Sequence, residues 1–202
     1  MGKMNLLKAN WEGKVGETVG AKWKNRKTIR TYTKPANPNT QAQRTVRTAF
    51  KSITSFVALF ADQIKYLTAL DTSGMSVRNA IIKLNKAMIE SGTVNLANLL
   101  ISKGGLQKPE NFTASLGQAD ECISFTWAAP TATNFTDEAK AVIVIVDPDN
   151  GRAEVIVEDA DEASADSILT YDPADEITTF MYFLDKRGNA KVASQSVSGG
   201  TL

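Results

Sequence analysis

The stretch 140-KAVIVIVDPDNGRAEVIVED-159 decides the fold. Two runs of β-branched and apolar residues, 140–147 and 152–158, flank the turn sequence Asp147-Pro-Asp-Asn-Gly151. A turn of this kind between two such runs is a strong signal for a β-hairpin, because Asn and Gly accept the left-handed backbone that a tight turn needs. The sequence therefore predicts two antiparallel strands joined by a short turn.

The alternating pattern extends outward from this hairpin through residues 109–202. Seven short strands in this region, separated by turns, are typical of a β-sandwich. Their pattern resembles immunoglobulin-like or fibronectin type III modules. The run 177–184 is apolar on both of its faces, which predicts a central strand, and Trp127 and Tyr182 are expected to face the interior. The five strands predicted besides the hairpin are 111–116, 121–127, 167–171, 177–184 and 190–197.

Residues 41–108 have the helical period instead. A helix is predicted over 41–67, because large apolar residues recur there at alternating intervals of four and three, which places them on one face. We expect that face to be core. A second helix is predicted from Ser76 to Gly92. The apolar positions of the first helix are Val46, Phe50, Ile53, Val57, Phe60, Ile64 and Leu67.

Residues 1–40 contain many Gly, Lys, Thr and Asn residues and few that form a core. An extended arm is predicted, with a β-hairpin over 14–32 that ends before the two prolines of 34–38. The predicted fold is therefore α+β. It consists of a basic arm (1–40), a two-helix region (41–108) and an immunoglobulin-like or fibronectin type III-like β-sandwich domain (109–202).

The net charge of +1 conceals a strong separation of charge along the chain. Residues 1–51 hold 12 Lys and Arg against two Glu, a net charge of +10. Residues 109–202 hold five basic and 17 acidic residues, a net charge of −12. Oppositely charged regions attract each other, so the sequence predicts contacts between copies or within one copy.

Several kinds of chemistry are disfavoured by composition. The chain has no histidine, which removes histidine-based nucleophile activation and most zinc sites, and its single cysteine, Cys122, is expected to be a small buried hydrophobe. The glycines of 13–20 lack a P-loop ending, and the acidic run 158–162 lacks EF-hand spacing. We therefore expect no enzyme, and no catalytic, cofactor-binding or metal-binding residue.

Two further kinds of partner are not expected. The longest fully apolar run, 141–146, is far shorter than the roughly 20 residues of a membrane helix, so no membrane partner is predicted. No small-molecule substrate is predicted either, because no pair of carboxylates stands out as an acid–base couple.

The basic arm is the candidate interaction site. Its cations and aromatic residues suit an acidic protein surface, and they also suit single-stranded nucleic acid, whose phosphates bind cations and whose bases stack on aromatic rings. Assembly with acidic neighbours is preferred, because the same chain carries an acidic region. The candidate residues are Trp11, Lys22, Trp23, Lys24, Arg26, Lys27, Arg30, Tyr32, Arg44 and Arg47.

A family resemblance lies in the same region. A Gly-Val-Gly start, a Trp-Lys pair, and an Asn-Pro-x-Thr segment leading to Gln-x-x-Arg are similar to an uncharacterised family of small Bacteroidota and phage proteins. The resemblance implies a β-sandwich C-terminal half and no known activity. The phrase NPNTQAQR, residues 37–44, also resembles openings of small proteins in phage structural gene clusters. The matching residues are Gly13, Val15, Gly16, Trp23, Lys24, Arg30, Pro35, Asn37, Pro38, Thr40, Gln43, Arg47 and Phe50.

These features together predict a non-enzymatic structural protein of a phage particle, made in the bacterial host cytoplasm and located in the virion. A capsid decoration, a head–tail connector and a tail component all fit. The expected partners are copies of the chain and other particle proteins. The alternatives are a nucleic-acid-binding protein that uses the arm, and an adhesive surface module that displays sandwich loops.

Overall fold

The computed structural model describes residues 13–23, 26–34, 36, 38–117, 121–131, 135–136, 138–187 and 190–202. Its contacts divide the chain into two compact units, residues 1–40 and residues 41–202. The first unit contains the predicted arm. The second contains both the predicted helices and the predicted sandwich.

The first unit contains a three-stranded antiparallel sheet in the order β1 (Gly13–Val15), β2 (Thr18–Trp23), β3 (Arg26–Thr31). Gly16 opens the turn between β1 and β2 with a φ of 58°, a conformation that suits glycine. Pairing between β2 and β3 runs from Thr18 opposite Thr31 to Trp23 opposite Arg26. The predicted hairpin is therefore part of a three-stranded sheet. We call residues 13–34 the basic ribbon.

The second unit begins with helices. These are α1 (Gln41–Ala58), α2 (Val77–Leu84) and α3 (Lys86–Ser91), with 3-10 helices at Gln63–Tyr66 and Leu96–Asn98. The Ser76 hydroxyl caps α2 by accepting a hydrogen bond from the backbone N–H of Asn79 at 3.3 Å. Gly92 ends α3 with a φ of 71°, and a Cβ there would lie 2.3 Å from Thr45 Cγ2 of α1. Glycine at this position therefore allows α3 to approach α1 closely.

The predicted second helix is broken into α2 and α3 at Asn85. This buried side chain donates hydrogen bonds to the carbonyl oxygens of Ile81 (2.9 Å) and Leu100 (2.7 Å), and it accepts one from the Leu100 N–H at 2.9 Å. Asparagine side chains compete with the backbone for helical hydrogen bonds. Asn85 thus interrupts the helix and ties it to the segment that follows.

Two antiparallel sheets follow. The larger has the order β10-β9-β6-β7, with β11 also pairing with β9, and the smaller has the order β4-β5-β8. This arrangement is compatible with the predicted β-sandwich, and the α+β class is confirmed. The strands are β4 (Glu110–Leu116), β5 (Ile123–Ala128), β6 (Lys140–Asp147), β7 (Arg152–Asp159), β8 (Ser164–Asp166), β9 (Thr178–Arg187), β10 (Ala190–Ala193) and β11 (Val197–Thr201).

The larger sheet separates two hydrophobic cores. Val142, Val144 and Val146 of β6 pack with the helices, while Ile143 and Ile145 pack with the smaller sheet. Strand β9 is also buried on both faces, as the sequence predicted. Tyr182, expected inside the sandwich, instead lies in the core shared with the helices, where its hydroxyl donates to the Leu67 carbonyl at 2.8 Å. Trp127 lies inside the sandwich, as expected.

Two strand predictions were wrong in detail. Residues 167–171 are irregular, and β8 precedes them. The reason is non-local, because the backbone N–H groups of Ile168 and Leu169 donate to the Glu154 carboxylate rather than to a strand. The predicted strand 190–197 is interrupted, because the Ser194 hydroxyl accepts a hydrogen bond from the Phe183 N–H at 2.9 Å.

The first-helix prediction was correct at its start, Gln41, but wrong at its C-terminal end and in the burial of its first turns. The helix α1 stops at Ala58 and a 3-10 helix follows at Gln63–Tyr66. Ile53, Val57 and Phe60 are buried as expected, but Phe50 is 48% exposed. The apolar stripe therefore extends beyond the sheet that covers its C-terminal part.

The predicted boundary at residue 108 crosses a shared core. Residues from α1, α2 and α3 are in one hydrophobic cluster with residues of β6 and β9. Independent folding of 109–202 stays a prediction. The boundary at residue 40 coincides with the division between the two compact units.

The different burial of Phe60 and Phe50 predicts different effects of truncation. Phe60→Ala removes a fully buried ring that packs edge-to-face on Phe56, so we expect it to lower the free energy of unfolding by roughly 3–5 kcal/mol. Phe50→Ala should cost less than about 1 kcal/mol, because half of that ring is already in solvent. Urea titration of both variants measures the difference, and equal losses would contradict the assignment of Phe50 to the surface.

Candidate assembly surfaces

The basic ribbon carries cations and aromatic groups on a sheet with almost no interior. Gly20 is its one buried residue among those of 13–34 whose burial is described. Lys14 Nζ lies 3.7 Å from the centroid of the Tyr32 ring, a cation–π contact. The Tyr32 N–H donates to the Glu17 carbonyl at 2.6 Å, which fixes the chain as it leaves β3. Val15 and Tyr32 are largely exposed.

The structure places only part of the predicted arm site in the ribbon. Strand β2 contains Lys22 and Trp23, and β3 contains Arg26, Lys27 and Arg30. The register sets Lys22 opposite Lys27.

The other predicted arm residues lie elsewhere. Trp11 and Lys24 are outside the described residues. Arg44 and Arg47 are exposed positions of α1, in the second compact unit. Arg44 and Arg47 thus belong to a different unit from the other described candidates. The role of the ten residues in binding stays a prediction.

One cavity of about 420 Å³ lies within the ribbon. Its lining includes Lys14, Arg30 and Tyr32, together with Val19. Two cations beside an exposed aromatic ring are the groups that hold a phosphate and stack on a base.

The first three turns of α1, residues 41–52, form a second surface. Its apolar residues were predicted to lie in the core. Val46 and Phe50 are 38% and 48% exposed and lie one helical turn apart. The same segment contains Arg44, Arg47 and Lys51 and no acidic residue. We call residues 41–52 the helix surface. It combines an apolar stripe with positive charge.

The third surface is the segment 166–176, which we call the acidic loop. Ile168 is 84% exposed and Leu169 is 39% exposed. Buried groups hold both residues outward, because the Glu154 carboxylate accepts hydrogen bonds from the Ile168 N–H (2.7 Å) and the Leu169 N–H (3.3 Å). The Ser167 hydroxyl donates to the Leu169 carbonyl at 2.8 Å. The exposed pair is thus fixed in position before any partner binds.

Four acidic residues surround this apolar tip in sequence, with no basic residue in the loop. They are Asp166, Asp172, Asp175 and Glu176. The exposed tip was not predicted, because the run Ser-Ile-Leu-Thr-Tyr is typical of a strand. Glu154 is distant in sequence, so the local pattern contains no trace of its hydrogen bonds.

A buried polar network supports the acidic loop from the hairpin between β6 and β7. The Asp147 carboxylate has no exposed surface and accepts hydrogen bonds from Arg152 Nε at 2.7 Å and from the Asn150 N–H at 3.0 Å. Arg152 also donates to the Thr170 carbonyl at 2.9 Å and stacks on the Tyr171 ring, 4.7 Å from its centroid. Hairpin and loop therefore form one connected structure.

The network shifts the ionisation of its members. Burial acts to raise the pKa of Asp147, but the hydrogen bonds from Asn150 and Arg152 outweigh it, so the pKa is lowered. Burial, followed by the hydrogen bond from its hydroxyl to Glu154, raises the pKa of Tyr171. Asp147 is thus an anion and Tyr171 a neutral donor at neutral pH, and both roles are structural.

Within the part of the chain that the structure describes, no group of three or more Asp, Glu or Cys side chains is placed to hold a metal ion. Over the same residues, no helix is long and apolar enough to cross a membrane. Cys122 is half-buried rather than fully buried.

The fold and its surfaces define a mixed α+β protein with a basic ribbon, a basic helix surface and an acidic loop. The chain belongs to a family of unknown function (DUF6266), whose model matches residues 9–199. No curated protein matches the chain. Membership of an uncharacterised family, predicted from the N-terminal motif, is confirmed, and the match spans both compact units.

The Asp147 network predicts a pH-dependent stability. Asp147→Asn should lower the free energy of unfolding at pH 7 by about 2 kcal/mol, because it removes charge-assisted hydrogen bonds to a buried acceptor. The folded-state pKa of Asp147 is lowered, so its contribution is present above the unfolded pKa of about 3.9 and is lost as the pH falls through the folded value. The difference between variant and parent should therefore shrink in strong acid.

Urea titrations at pH 7 and at acidic pH measure this difference. Asp166→Asn is the matched control, because that carboxylate is exposed and its removal should change stability by less than about 0.5 kcal/mol. A loss for Asp147→Asn that is independent of pH would contradict the role of the ionised carboxylate.

Proposed function

We propose that this protein is a non-enzymatic structural subunit that binds further copies of itself through its basic N-terminal region and its acidic sandwich. The observation that carries the proposal is the basic ribbon. A small antiparallel sheet needs a hydrophobic face or a packing partner to be stable in water. Among the ribbon residues whose burial is described, only Gly20 is buried. A partner surface would supply what the ribbon lacks.

Charge indicates what kind of surface that partner has. Residues 1–51 carry a net charge of +10 and residues 109–202 a net charge of −12. Contact between the two regions on different copies neutralises both, whereas like regions repel. Because two different surfaces meet, the contact is head-to-tail, and it closes into a ring or continues as a filament or lattice.

The setting we propose is a phage particle, in which the subunit is a capsid decoration, a head–tail connector or a tail component. The supporting observation is the resemblance of residues 37–44 to openings of small proteins in phage structural gene clusters. Surfaces that bind neighbouring copies suit a protein that repeats many times in a particle.

Nucleic-acid binding is a second candidate function. The observation that favours it is the ribbon cavity, where Lys14, Arg30 and Tyr32 lie together. In this case the ribbon would contact phosphates and bases instead of protein.

Self-association measured at two salt concentrations tests the main proposal. The full chain should self-associate at 0.1 M salt and dissociate at 1 M salt, because the screening length falls from about 10 Å to about 3 Å. Residues 41–202, a compact unit of their own, should associate at least about tenfold more weakly, since they lack the ribbon.

Light scattering and sedimentation of both proteins give these affinities. A full chain that stays monomeric at both salt concentrations would overturn the proposal. Association that requires added single-stranded DNA would favour nucleic-acid binding instead.

The phage setting has a separate test. Antibody against the chain should detect it in phage particles purified from an induced host, at many copies per particle, because a structural subunit remains with the particle through banding in a density gradient. Detection in the host lysate but not in the particle band would argue against this setting and leave self-assembly untouched.

A further inference from the structure

We propose that the acidic loop (166–176) of one copy docks on the helix surface (41–52) of a second copy. The inference rests on the proposed function and names a contact within it. Both surfaces belong to the same compact unit, so the contact does not require the ribbon.

The helix surface contributes an exposed apolar stripe to this contact. Val46 and Phe50 continue the buried stripe of Ile53 and Val57 onto a part of α1 where the stripe is exposed. A helix in water normally places such a stripe against another element, and contiguous exposed apolar groups mark binding surfaces. In the described structure the first three turns of α1 therefore expose an apolar surface on which a partner can pack.

The acidic loop presents an exposed apolar tip that can insert into a partner surface. Ile168 is the most exposed large apolar side chain of the described residues, and Glu154 holds its backbone in place from the buried side. A tip that is already ordered loses little conformational entropy on docking, which favours binding.

Charge selects which surfaces meet. The acidic loop has four acidic residues and no basic residue, and the helix surface has three basic residues and no acidic residue. Two loops repel each other, and so do two helix surfaces, so the favourable combination is loop on helix. The chain's own residues 1–40 are poor occupants of the helix surface, because they carry a net charge of +7.

A contact of this kind has a direction. Each copy offers one loop and one helix surface, so a bound pair still has one free loop and one free helix surface. Such heterologous contacts propagate until they close into a ring or form a filament.

Complementation between two full-length variants tests the contact. Phe50→Ser damages the helix surface and leaves the loop intact, whereas Ile168→Ser damages the loop and leaves the helix surface intact. Each variant should bind itself at least about tenfold more weakly than the parent. A labelled Phe50→Ser chain titrated with the Ile168→Ser chain should bind within about threefold of the parent affinity, because that pair retains one undamaged loop and one undamaged helix surface.

The controls separate contact from folding. Tyr66→Ser is the matched variant, because Tyr66 is another large apolar side chain, 73% exposed, outside both surfaces, and it should bind as the parent does. Both test residues are exposed, so the midpoint of thermal unfolding should fall by less than about 4 °C. Lys51→Glu and Asp172→Lys form a second pair, which should weaken binding singly and restore it when the two variants are mixed.

The outcomes distinguish the two proposals. If the variants associate as the parent does, the ribbon alone carries assembly and the docking proposal is wrong, while the proposed function stands. If mixing restores nothing, the two residues do not meet across a head-to-tail contact. If the parent itself never associates, both proposals fail.

Discussion

Strands β6 and β9 are buried on both faces, and the other layers of the second unit are arranged to cover them. One face presents Val142, Val144, Val146, Phe180 and Tyr182 to the helices. Full burial of side chains of this size is worth roughly 1.5–3 kcal/mol each, so five of them amount to about the whole net stability of a typical domain, roughly 5–15 kcal/mol. The helices and the sheet therefore share one core.

The need to cover β6 and β9 also explains why only part of α1 is buried. Ile53 and Val57 lie in the core that α1 shares with the sheet and the other helices. Val46 and Phe50, nearer the start of the same stripe, are exposed. A helix longer than the surface it covers presents its remaining apolar residues to solvent. The cations beside them repel identical surfaces. In the proposed contact they would therefore favour an acidic partner over nonspecific aggregation through the exposed stripe.

The sequence predicted the secondary structure correctly where the interactions that determine it lie close together along the chain. The residues of the Asp147–Gly151 turn are typical of a hairpin. The runs of β6 and β9 are apolar on both faces, which predicts central strands. Prediction failed where a distant residue decides the backbone. Asn85 breaks a regular helical pattern because its partner is Leu100, and Glu154 removes 167–171 from the strand pattern by accepting two of its backbone N–H groups. Periodicity also shows that Phe50 lies on the apolar face, but not how far the covering sheet reaches.

The buried network of Asp147, Arg152 and Glu154 connects the fold to the assembly that we propose. Asp147 fixes Arg152, Arg152 reaches the Thr170 carbonyl, and Glu154 fixes Ile168 and Leu169, so the loop is held by groups that are themselves held by the sheet. A loop that was merely flexible would lose ordering entropy each time a copy was added, and that cost would recur at every contact. Here the ordering is supplied during folding of the single chain. In the assembly that we propose, each copy would arrive with its apolar tip already in place, and charge would need only to bring the two surfaces together.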